Sequence, residues 1–382
     1  MKVPPSLTVR HWLEFVAFRG FEAILNLVSI ETTFKFGELL GRIVHRFGSP
    51  LRKSLLRNLR RAYGDERSER ELVELAAEVF ERNGANLISS LRIPFLSDDE
   101  IRGHVDFTGL PDFVSSAKRQ GIVLVLPHMG NWELLAQIFF LTAGEIRAGT
   151  HYRPLNNVLI DEIIKRRRKK RGVVLFSKQE SPLKLTHFVK AGGVLAILAD
   201  QRVGSRGAPG VFFGRPTTCS PLPHLVAKRG KACLIGMHCK TVGVARWQIS
   251  FQPIGEQSAQ ACADYIERAW RSSPTDVFWF EDRWRLKGAA ALHFLLKYPP
   301  DHRVTRPLRM VCLGEKTDRE FPADLITVET RKVDFNLTDR DLKYALAEFS
   351  ACNTTPVDVF CAPADEVRRL RNLTDKILVL PT

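Results

Sequence analysis

From residue 105 onward, short runs of β-favouring residues alternate with helical segments, and this alternation limits the possible folds more than any other feature of the sequence. Runs such as GIVLVLP are apolar throughout, which is typical of parallel strands that helices cover on both faces. The pattern predicts an α/β fold with a mixed, mostly parallel sheet flanked by helices. The predicted core strands are residues 121–127, 145–152, 172–176, 192–200, 232–240 and 246–254.

The chain divides into three regions that differ in their predicted secondary structure. Residues 1–100 are predicted to form a helical, membrane-associating region, because apolar residues recur at helical spacing and Ser68 with Glu71 matches a capping box. Residues 101–298 are predicted to form the α/β core. After a proline-containing linker, residues 303–382 are predicted to form a small α/β C-terminal extension, in which no chemistry is recognisable.

The segment Val9–Ile30 is strongly apolar, although Glu14, Arg19 and Glu22 interrupt it. On a helical wheel the polar side chains gather on about half of the circumference, which suits a helix lying in a membrane interface. The alternative is an amphipathic helix packed on the protein core. Because a spanning helix needs about 20 mostly apolar residues, we expect peripheral attachment rather than a membrane span.

Charge and cysteine content restrict the function classes. Lys+Arg 57 against Asp+Glu 42 gives a net charge of +15, which favours nucleic acid, an anionic membrane surface or a phosphorylated substrate. The 7 cysteines are odd in number and include no CxxC pair. This argues against a disulfide framework or a zinc site and favours a reducing compartment. No cleavable signal peptide is expected either.

The stretch LPHMGNWELL contains the strongest candidate for a catalytic pair, His128 and Glu133. On one continuous helix, residues five positions apart point about 140° away from each other. However, Pro127 discourages continuation of the strand, and Gly130 with Asn131 favours a turn before a helix over WELLAQIFFL. His128 is therefore predicted at the carboxyl end of a strand, with Glu133 in the first helical turn. An imidazole held there by a carboxylate can act as a general base.

Two further motifs follow predicted strands. HYRPLNN places Arg153 after the second core strand, where a guanidinium can bind a phosphate or balance a developing oxyanion. The alternative is a structural or surface arginine. LADQRVGSRGAPGVFFGRPTT places Asp200 and Gln201 at another strand end, before a glycine-containing loop and a Phe212-Phe213-Gly214 turn. These residues either bind substrate or only shape the pocket.

Together with NLRRAYGD and FWFEDRWR, these motifs resemble the late acyltransferases of lipid A biosynthesis, the lauroyl/myristoyl acyltransferase family. That family lies within a wider glycerolipid-acyltransferase-like group that carries an H-x4-D/E motif. The likeness runs from about residue 5 to about residue 290. It implies transfer of a fatty acyl chain from an acyl carrier protein (or CoA) thioester to a hydroxyl of a lipid A precursor.

The resemblance also implies roles for individual residues. His128 is implied as the catalytic general base and Glu133 as the catalytic carboxylate that orients it. The substrate oxygen is then the nucleophile, which agrees with the absence of a G-x-S-x-G motif. The residues implied to bind substrate are Arg153, Asn131, Asp200, Gln201, Gly204, Phe213 and Gly214.

The resemblance further implies no cofactor and no metal, with acyl carrier protein, an anionic glycolipid substrate and the membrane surface as partners. The expected location is the cytoplasmic face of the bacterial inner membrane, reached peripherally or through the N-terminal helix. The basic block Lys165–Arg171 lacks the aromatic or groove-reading neighbours of a nucleic-acid site, so no nucleic acid is expected. The block is interpreted as a contact for headgroups, carrier protein or substrate phosphates, or as a solvated helix face.

Two positions depart from the family pattern. Arg202 stands where a second acid often follows the Asp-Gln pair, and Glu281 stands where a histidine is common. They leave open the acyl-chain length and the acceptor. Alternative functions are an acyltransferase acting on a phospholipid or another glycolipid, a thioesterase that activates water with the same base, and a non-catalytic membrane-binding relative.

Overall fold

The computed structural model of the chain describes residues 7–138, 146–170, 172–286, 288–300, 302–314, 320–351, 356–374 and 377–382. These residues pack as two compact units. Unit one contains the described residues up to Gly48, together with Ala77–Ala199 and Leu222–Phe278. Unit two contains Ser49–Ala76, Asp200–Pro221 and the described residues from Trp279 onward.

The predicted α/β class is confirmed. The helices are α1 Val9–Leu25, α2 Ile30–Phe47, α3 Ser49–Tyr63, α4 Glu69–Ser90, α5 Asp98–His104, α6 Leu110–Arg119, α7 Val158–Lys170, α8 Pro182–Lys190, α9 Leu222–Gly230, α10 Ala259–Ser272, α11 Ala289–Lys297, α12 Asp339–Ala351 and α13 Val367–Leu373. The strands are β1 Val105–Thr108, β2 Ile122–Leu126, β3 Ala148–Tyr152, β4 Val174–Ser177, β5 Val194–Leu198, β6 Ala208–Phe212, β7 Arg215–Cys219, β8 Cys233–Gly243, β9 Arg246–Pro253, β10 Leu308–Leu313, β11 Ile326–Arg331, β12 Val359–Ala362 and β13 Leu378–Pro381.

In unit one the described strands form one sheet in the order β1-β9-β8-β2-β5-β3-β4. Every neighbouring pair is parallel except β8 and β9, so the mixed, mostly parallel sheet is confirmed. Strand β2 occupies the middle of the sheet, and all five of its residues are buried. Its unbroken apolar run IVLVL reflects this position, because helices cover a central parallel strand on both faces.

Helices α2 and α4 approach each other closely through three glycines. Gly37 and Gly41 on α2 lie against Gly84 on α4, and a Cβ atom at Gly41 would overlap the backbone carbonyl of Phe80. Only residues without a side chain permit two backbones to come this near. The crossing holds α2 against the part of α4 that belongs to unit one.

Helix α1 buries the charged side chain of Glu22 and exposes several apolar side chains. Glu22 is only 1% exposed, whereas Val9, Leu13 and Val16 are each more than 60% exposed. At these four positions the arrangement is the reverse of that in an amphipathic helix packed on a core by its apolar face. Among the residues described, no helix combines the length and the apolar character needed to cross a membrane.

Unit two contains a β6–β7 hairpin and a parallel sheet in the order β11-β10-β12-β13. Apolar clusters cover both faces of this sheet, one built around Met310 and Cys312 and the other around Val311 and Leu313. The predicted small α/β pattern at the C-terminal end is confirmed.

A buried ionic cluster lies within unit two. Nη2 of Arg61 in α3 lies 3.0 Å from Oδ1 of Asp358. Nη2 of Arg215 in β7 donates to Oδ2 of the same carboxylate, and the backbone N–H of Arg309 in β10 donates to Oδ2 at 3.0 Å. The two arginines and Asp358 are each less than 5% exposed. Two buried guanidinium groups therefore share one carboxylate.

Candidate active site

The backbone of His128, just after the carboxyl end of β2, is held by residues 276–278. The carbonyl oxygen of His128 accepts from the N–H of Phe278 at 3.0 Å, and Gly130 N–H donates to the carbonyl of Asp276 at 2.9 Å. Between these contacts, Met129 and Val277 form an antiparallel bridge. The predicted position of His128 at a strand end is confirmed, and its backbone is fixed on both sides.

Asp276, which the sequence did not single out, anchors this supporting segment. Its carboxylate accepts from the backbone N–H of Thr241 at 2.8 Å, from Thr241 Oγ1 at 2.6 Å and from Ser273 Oγ at 2.8 Å. Nδ2 of Asn86 donates to it at 3.1 Å. The side chain is 1% exposed, so the network satisfies a charge removed from water.

The turn after His128 requires glycine at position 130. Gly130 has φ +59°, and a Cβ atom there would overlap the carbonyl of Cys239. Asn131 follows with its side chain 1% exposed, and its Oδ1 accepts from the N–H of Leu134 at 3.3 Å. Its Nδ2 donates to Oγ of Ser89 at 3.5 Å. The predicted role of Asn131 in binding substrate stays a prediction. Burial raises the pKa of the Cys239 thiol, which disfavours a nucleophilic thiolate beside this turn.

The chain after the turn differs from the prediction. An α-helix was predicted over WELLAQIFFL, but the described part is a 3-10 helix, Leu134–Ala136, with Glu133 at its N-terminal cap position. Successive i→i+3 backbone hydrogen bonds, from Leu134 N–H to Gln137 N–H, define it. The α-helical prediction is therefore wrong for these residues, and residues 139–145 lie outside the described ranges.

The carboxylate of Glu133 is bound by the basic block. Nη2 of Arg168 donates to Oε1 at 2.7 Å and to Oε2 at 2.8 Å. The side chain of Arg168 is 17% exposed and that of Glu133 is 35% exposed. Sequence reasoning missed this pair, because a run of lysines and arginines does not reveal which member faces inward.

Other members of the block also face inward. Arg167 donates to both carboxylate oxygens of Glu22 in α1. Lys165 lies 2.7 Å from Asp161, and that hydrogen bond raises the pKa of Lys165. The interpretation of the block as a solvated helix face is therefore wrong for three of its cations.

The ring of His128 lies against an aromatic wall. It meets Trp132 edge to face, with centroids 5.6 Å apart, and Trp132 meets Phe278 in the same way at 5.6 Å. The histidine is half-buried. Such surroundings restrict the orientation of the imidazole and keep part of it from bulk water.

A cavity of about 220 Å³ opens beside the turn. It brings together Glu133 and Arg153, although His128 is not among its described lining residues. Its volume is below the range of about 300–1,000 Å³ that is usual for small-molecule sites. The lining residues are Ser90, Leu91, Ile93, Pro94, Glu133, Gln137, Tyr152, Arg153, Leu155, Asp161, Ile164, Lys165, Arg167 and Arg168.

The chemistry of this cavity is both cationic and apolar. Arg153 is exposed and follows the last residue of β3, and Arg167 and Arg168 come from α7. Leu91 and Ile164 contribute apolar wall. A ligand that carries an anionic group next to an aliphatic chain would match this combination.

The remaining predicted site residues belong to unit two. Asp200 and Gln201 follow β5 in the chain, with Asp200 buried and Gln201 exposed. Gly204 has φ +68° and begins a 3-10 helix, Gly204–Arg206. Burial, followed by the nearby Arg285, lowers the pKa of Arg202 in the same segment.

Phe213 and Gly214 form the turn of the β6–β7 hairpin, as predicted. Both have positive φ, 53° and 70°, which is typical of a tight hairpin turn. The ring of Phe213 packs edge to face with Tyr63 at 5.3 Å and with Trp279 at 6.1 Å. The carbonyl of Gly214 accepts from Thr305 N–H at 3.0 Å. These observed contacts are packing contacts within unit two.

Within the ranges the structure describes, no cluster of three or more His, Cys, Asp or Glu side chains could hold a metal ion. The cysteines in those ranges are free thiols: Cys219, Cys233, Cys239, Cys262, Cys312 and Cys361.

The chain was compared with known proteins. The sequence model of a family described as bacterial lipid A biosynthesis acyltransferase matches residues 2–286. A search of curated proteins found no match. The family match spans about three quarters of the chain and includes every residue of the predicted site.

Proposed function

This chain belongs to the bacterial lipid A biosynthesis acyltransferase family, and we propose that it transfers a fatty acyl chain from an acyl carrier protein (or CoA) thioester to a hydroxyl of a lipid A precursor. Membership makes it an acyltransferase of lipopolysaccharide biosynthesis. The donor, the acceptor and the residue roles are our proposal. The observation that supports them best is the turn after β2. Backbone hydrogen bonds at His128 and Gly130 hold this turn at the end of the strand, and Glu133 lines the adjoining cavity.

In the proposed reaction His128 accepts the proton of the acceptor hydroxyl as its oxygen attacks the thioester carbonyl. A tetrahedral intermediate forms, and its collapse breaks the carbon–sulfur bond. The imidazolium then returns the proton to the leaving thiolate, so the products are an ester and a free carrier thiol. Glu133 stabilises the imidazolium in the proton-transfer states. These reaction steps require neither a cofactor nor a metal.

We assign substrate phosphate to the cationic wall of the cavity. Arg153 is exposed at the cavity, where its guanidinium can bind a phosphate through two parallel hydrogen bonds. The apolar residues Leu91, Ile93 and Leu155 then border the start of an acyl chain. Of the other predicted residues, Asn131, Asp200, Gln201, Gly204, Phe213 and Gly214 stay predictions as substrate contacts.

We also propose that the protein attaches peripherally to the cytoplasmic face of the inner membrane through α1. The outward side of this helix presents Trp12, Leu13 and Val16, all more than half exposed. Its inward side is held by charge pairs, so embedding the outward side would not break the contacts that hold the helix. The net charge of +15 favours both anionic lipid and an acidic carrier protein.

The decisive experiment measures acyl transfer from a labelled acyl-carrier thioester to a phosphorylated glucosamine disaccharide. We expect His128→Ala to lower the rate by at least about a hundredfold, the usual contribution of a general base. His187→Ala provides the matched control, because His187 is exposed on α8 and should be replaceable without loss of rate. Full activity of His128→Ala would refute the mechanism.

The acceptor is tested separately in cells. Mass spectra of lipid A from strains with and without the protein should differ by one acyl chain. An unchanged acyl count would favour a phospholipid or another glycolipid as the acceptor. Release of free fatty acid without acceptor, at the rate of transfer, would favour a thioesterase. Vesicle binding with no turnover would favour a non-catalytic relative.

A further inference from the structure

A small pocket within unit two is lined by two arginines, Arg202 and Arg285. Both side chains are half-buried. In the part of the chain that the structure describes, neither guanidinium forms an ion pair. Charged side chains that are withdrawn from water are usually paired, so these two cations lack an expected partner.

The acidic side chains near this pair do not neutralise it. Oδ1 of Asp282 lies 3.5 Å from Nη1 of a different arginine, Arg57, and Glu281 is exposed. Burial lowers the pKa of Arg202, and repulsion from Arg285 lowers it further by more than either acid raises it. A bound anion would offset this repulsion.

A buried hydroxyl group adds a hydrogen-bond donor to the pocket. Thr217 lines the pocket and is 4% exposed. Its Oγ1 accepts from Nη1 of Arg283 at 2.9 Å, so the hydroxyl proton is left for another acceptor, and no such acceptor is present among the described residues. Arg283 is itself buried and donates to the carbonyl of Thr218 at 3.0 Å. The Thr217 hydroxyl is therefore oriented before a ligand binds.

The size of the pocket limits the ligand. Its volume of about 20 Å³ is little more than the space that one water molecule needs. Such a pocket admits oxygen atoms of a phosphate group, whereas a sugar ring or an acyl chain is too large for it.

One wall of the pocket comes from α11, through Ala291, Phe294 and Leu295. These residues lie beyond residue 286, where the family match ends, and α11 packs on β7, the strand that carries Thr217. Arg202 also departs from the family pattern, in which an acid is often found at its position. The pocket is therefore a feature of this chain that its C-terminal extension completes.

We propose that this pocket is an anion-binding site that holds a phosphate group between Arg202 and Arg285. Each guanidinium can donate two parallel hydrogen bonds to phosphate oxygens, and the hydroxyl of Thr217 can donate another. Two sources carry this chemistry, free inorganic phosphate and the phosphate of a phosphorylated sugar. Binding of free phosphate is independent of the acyl transfer proposed above, whereas binding of the sugar phosphate rests on it.

Isothermal titration calorimetry with inorganic phosphate at low salt tests the site. The parent is the full-length Arg153→Gln protein, so that the cation assigned above to substrate phosphate does not contribute. We expect Arg202→Gln and Arg285→Gln each to raise Kd by at least about tenfold, because each removes charge-assisted hydrogen bonds. The matched control is Arg206→Gln, which removes an exposed arginine of the same segment that is not among the described lining residues. It should leave Kd unchanged.

A second variant keeps both arginines, in case their replacement prevents folding. Ala291→Glu places a carboxylate at the wall of the pocket, where it would repel the anion and compete for the guanidinium groups, so Kd should again rise by at least about tenfold. Ala290→Glu, at the exposed neighbouring position of α11, should have little effect. An unchanged Tm identifies the variants that are folded.

The same titrations with a phosphorylated glucosamine disaccharide that carries no acyl chain distinguish the two sources. A rise in its Kd after Arg202→Gln supports the site and identifies a sugar phosphate as a ligand. A rise for inorganic phosphate alone supports the site and identifies free phosphate.

Unchanged Kd for phosphate in Arg202→Gln and Arg285→Gln would overturn the inference, as would undetectable binding by the parent. An equal rise in Arg206→Gln would also overturn it, because it would indicate diffuse attraction to the net positive charge. The titrations require no turnover. Absence of acyl transfer by the wild-type protein would therefore contradict the proposed function without changing the result for inorganic phosphate.

Discussion

The carboxylate of Asp358 accepts a hydrogen bond from Arg215, and neither side chain is more than 1% exposed. Arg215 lies inside the family match, whereas Asp358 lies well beyond residue 286, where that match ends. Arg61, also within the match, shares the same carboxylate. The C-terminal sheet therefore supplies the counter-charge for two arginines that belong to the family region.

Asp358→Asn should strongly destabilise the protein. The substitution keeps the shape of the side chain but removes the negative charge that two buried guanidinium groups share, and breaking a buried ion pair costs about 3–5 kcal/mol. The free energy of unfolding, measured by urea titration, checks this. Asp339→Asn is the control, because Asp339 is 67% exposed in its pair with Arg369 and should cost no more than about 1 kcal/mol. Similar losses for both variants would contradict the prediction.

Gly41→Ala should also destabilise the protein, by about 1–3 kcal/mol, because the new methyl group would overlap the Phe80 carbonyl and force α2 from α4. Gly103→Ala is the matched helical control. Apart from the backbone of its own helix and its chain neighbours, no atom lies within 4 Å of a Cβ atom placed at Gly103, so alanine there should be neutral or slightly stabilising. In thermal unfolding, Gly41→Ala should lower Tm, whereas Gly103→Ala should leave Tm unchanged or raise it slightly.

The sheet could be predicted because a central parallel strand, buried on both faces, appears in the sequence as an unbroken run of apolar residues. The run IVLVL of β2 is apolar at every position, and Pro127 and Gly130 mark the corner that follows. These local features also located His128 correctly. In contrast, the 3-10 turn after Glu133 was mistaken for an α-helix, since apolar periodicity over so few residues does not distinguish the two.

The ion pairs could not be predicted, because each joins residues far apart in the chain. Glu133 with Arg168 and Glu22 with Arg167 depend on how helices pack, which the composition of a basic run does not encode. The same holds for Asp276, whose partners come from three different segments. The family resemblance led to the motif residues but not to the side chains that support them.

His238 should make the stability of the protein depend on pH. The side chain of His238 is buried and hydrogen-bonded to the hydroxyl of Tyr265. Burial, with a smaller effect of Lys240, lowers the pKa of His238 to about 4. An unfolded histidine titrates near 6.5. The folded protein therefore binds a proton less readily, so stability is intact above pH 6.5 and is lost as the pH falls toward 4, by about 3 kcal/mol.

His238→Gln should remove this contribution. Unfolding free energies measured between about pH 4 and pH 6.5 should fall less steeply for the variant than for the wild-type protein. Identical pH dependence of the two proteins would show that His238 titrates normally.

The outward face of α1 should control membrane binding. A double variant, Leu13→Ser with Val16→Ser, removes two apolar side chains that are each more than 60% exposed. Because burying a residue of this kind contributes about 1.5–3 kcal/mol, co-sedimentation with anionic vesicles should weaken by at least about tenfold. Leu183→Ser on α8, 59% exposed, should leave binding unchanged. Equal effects of the two changes would argue against a specific role for α1.

The shared carboxylate has a practical consequence for anyone who prepares this enzyme in pieces. A recombinant fragment cut at residue 286 would contain all of the family motifs yet would lack the carboxylate that Arg61 and Arg215 share. Such a fragment should aggregate or degrade even though it contains the whole of the family match. Inactivity of that fragment would then reflect the loss of the Asp358 carboxylate and not the loss of a family motif.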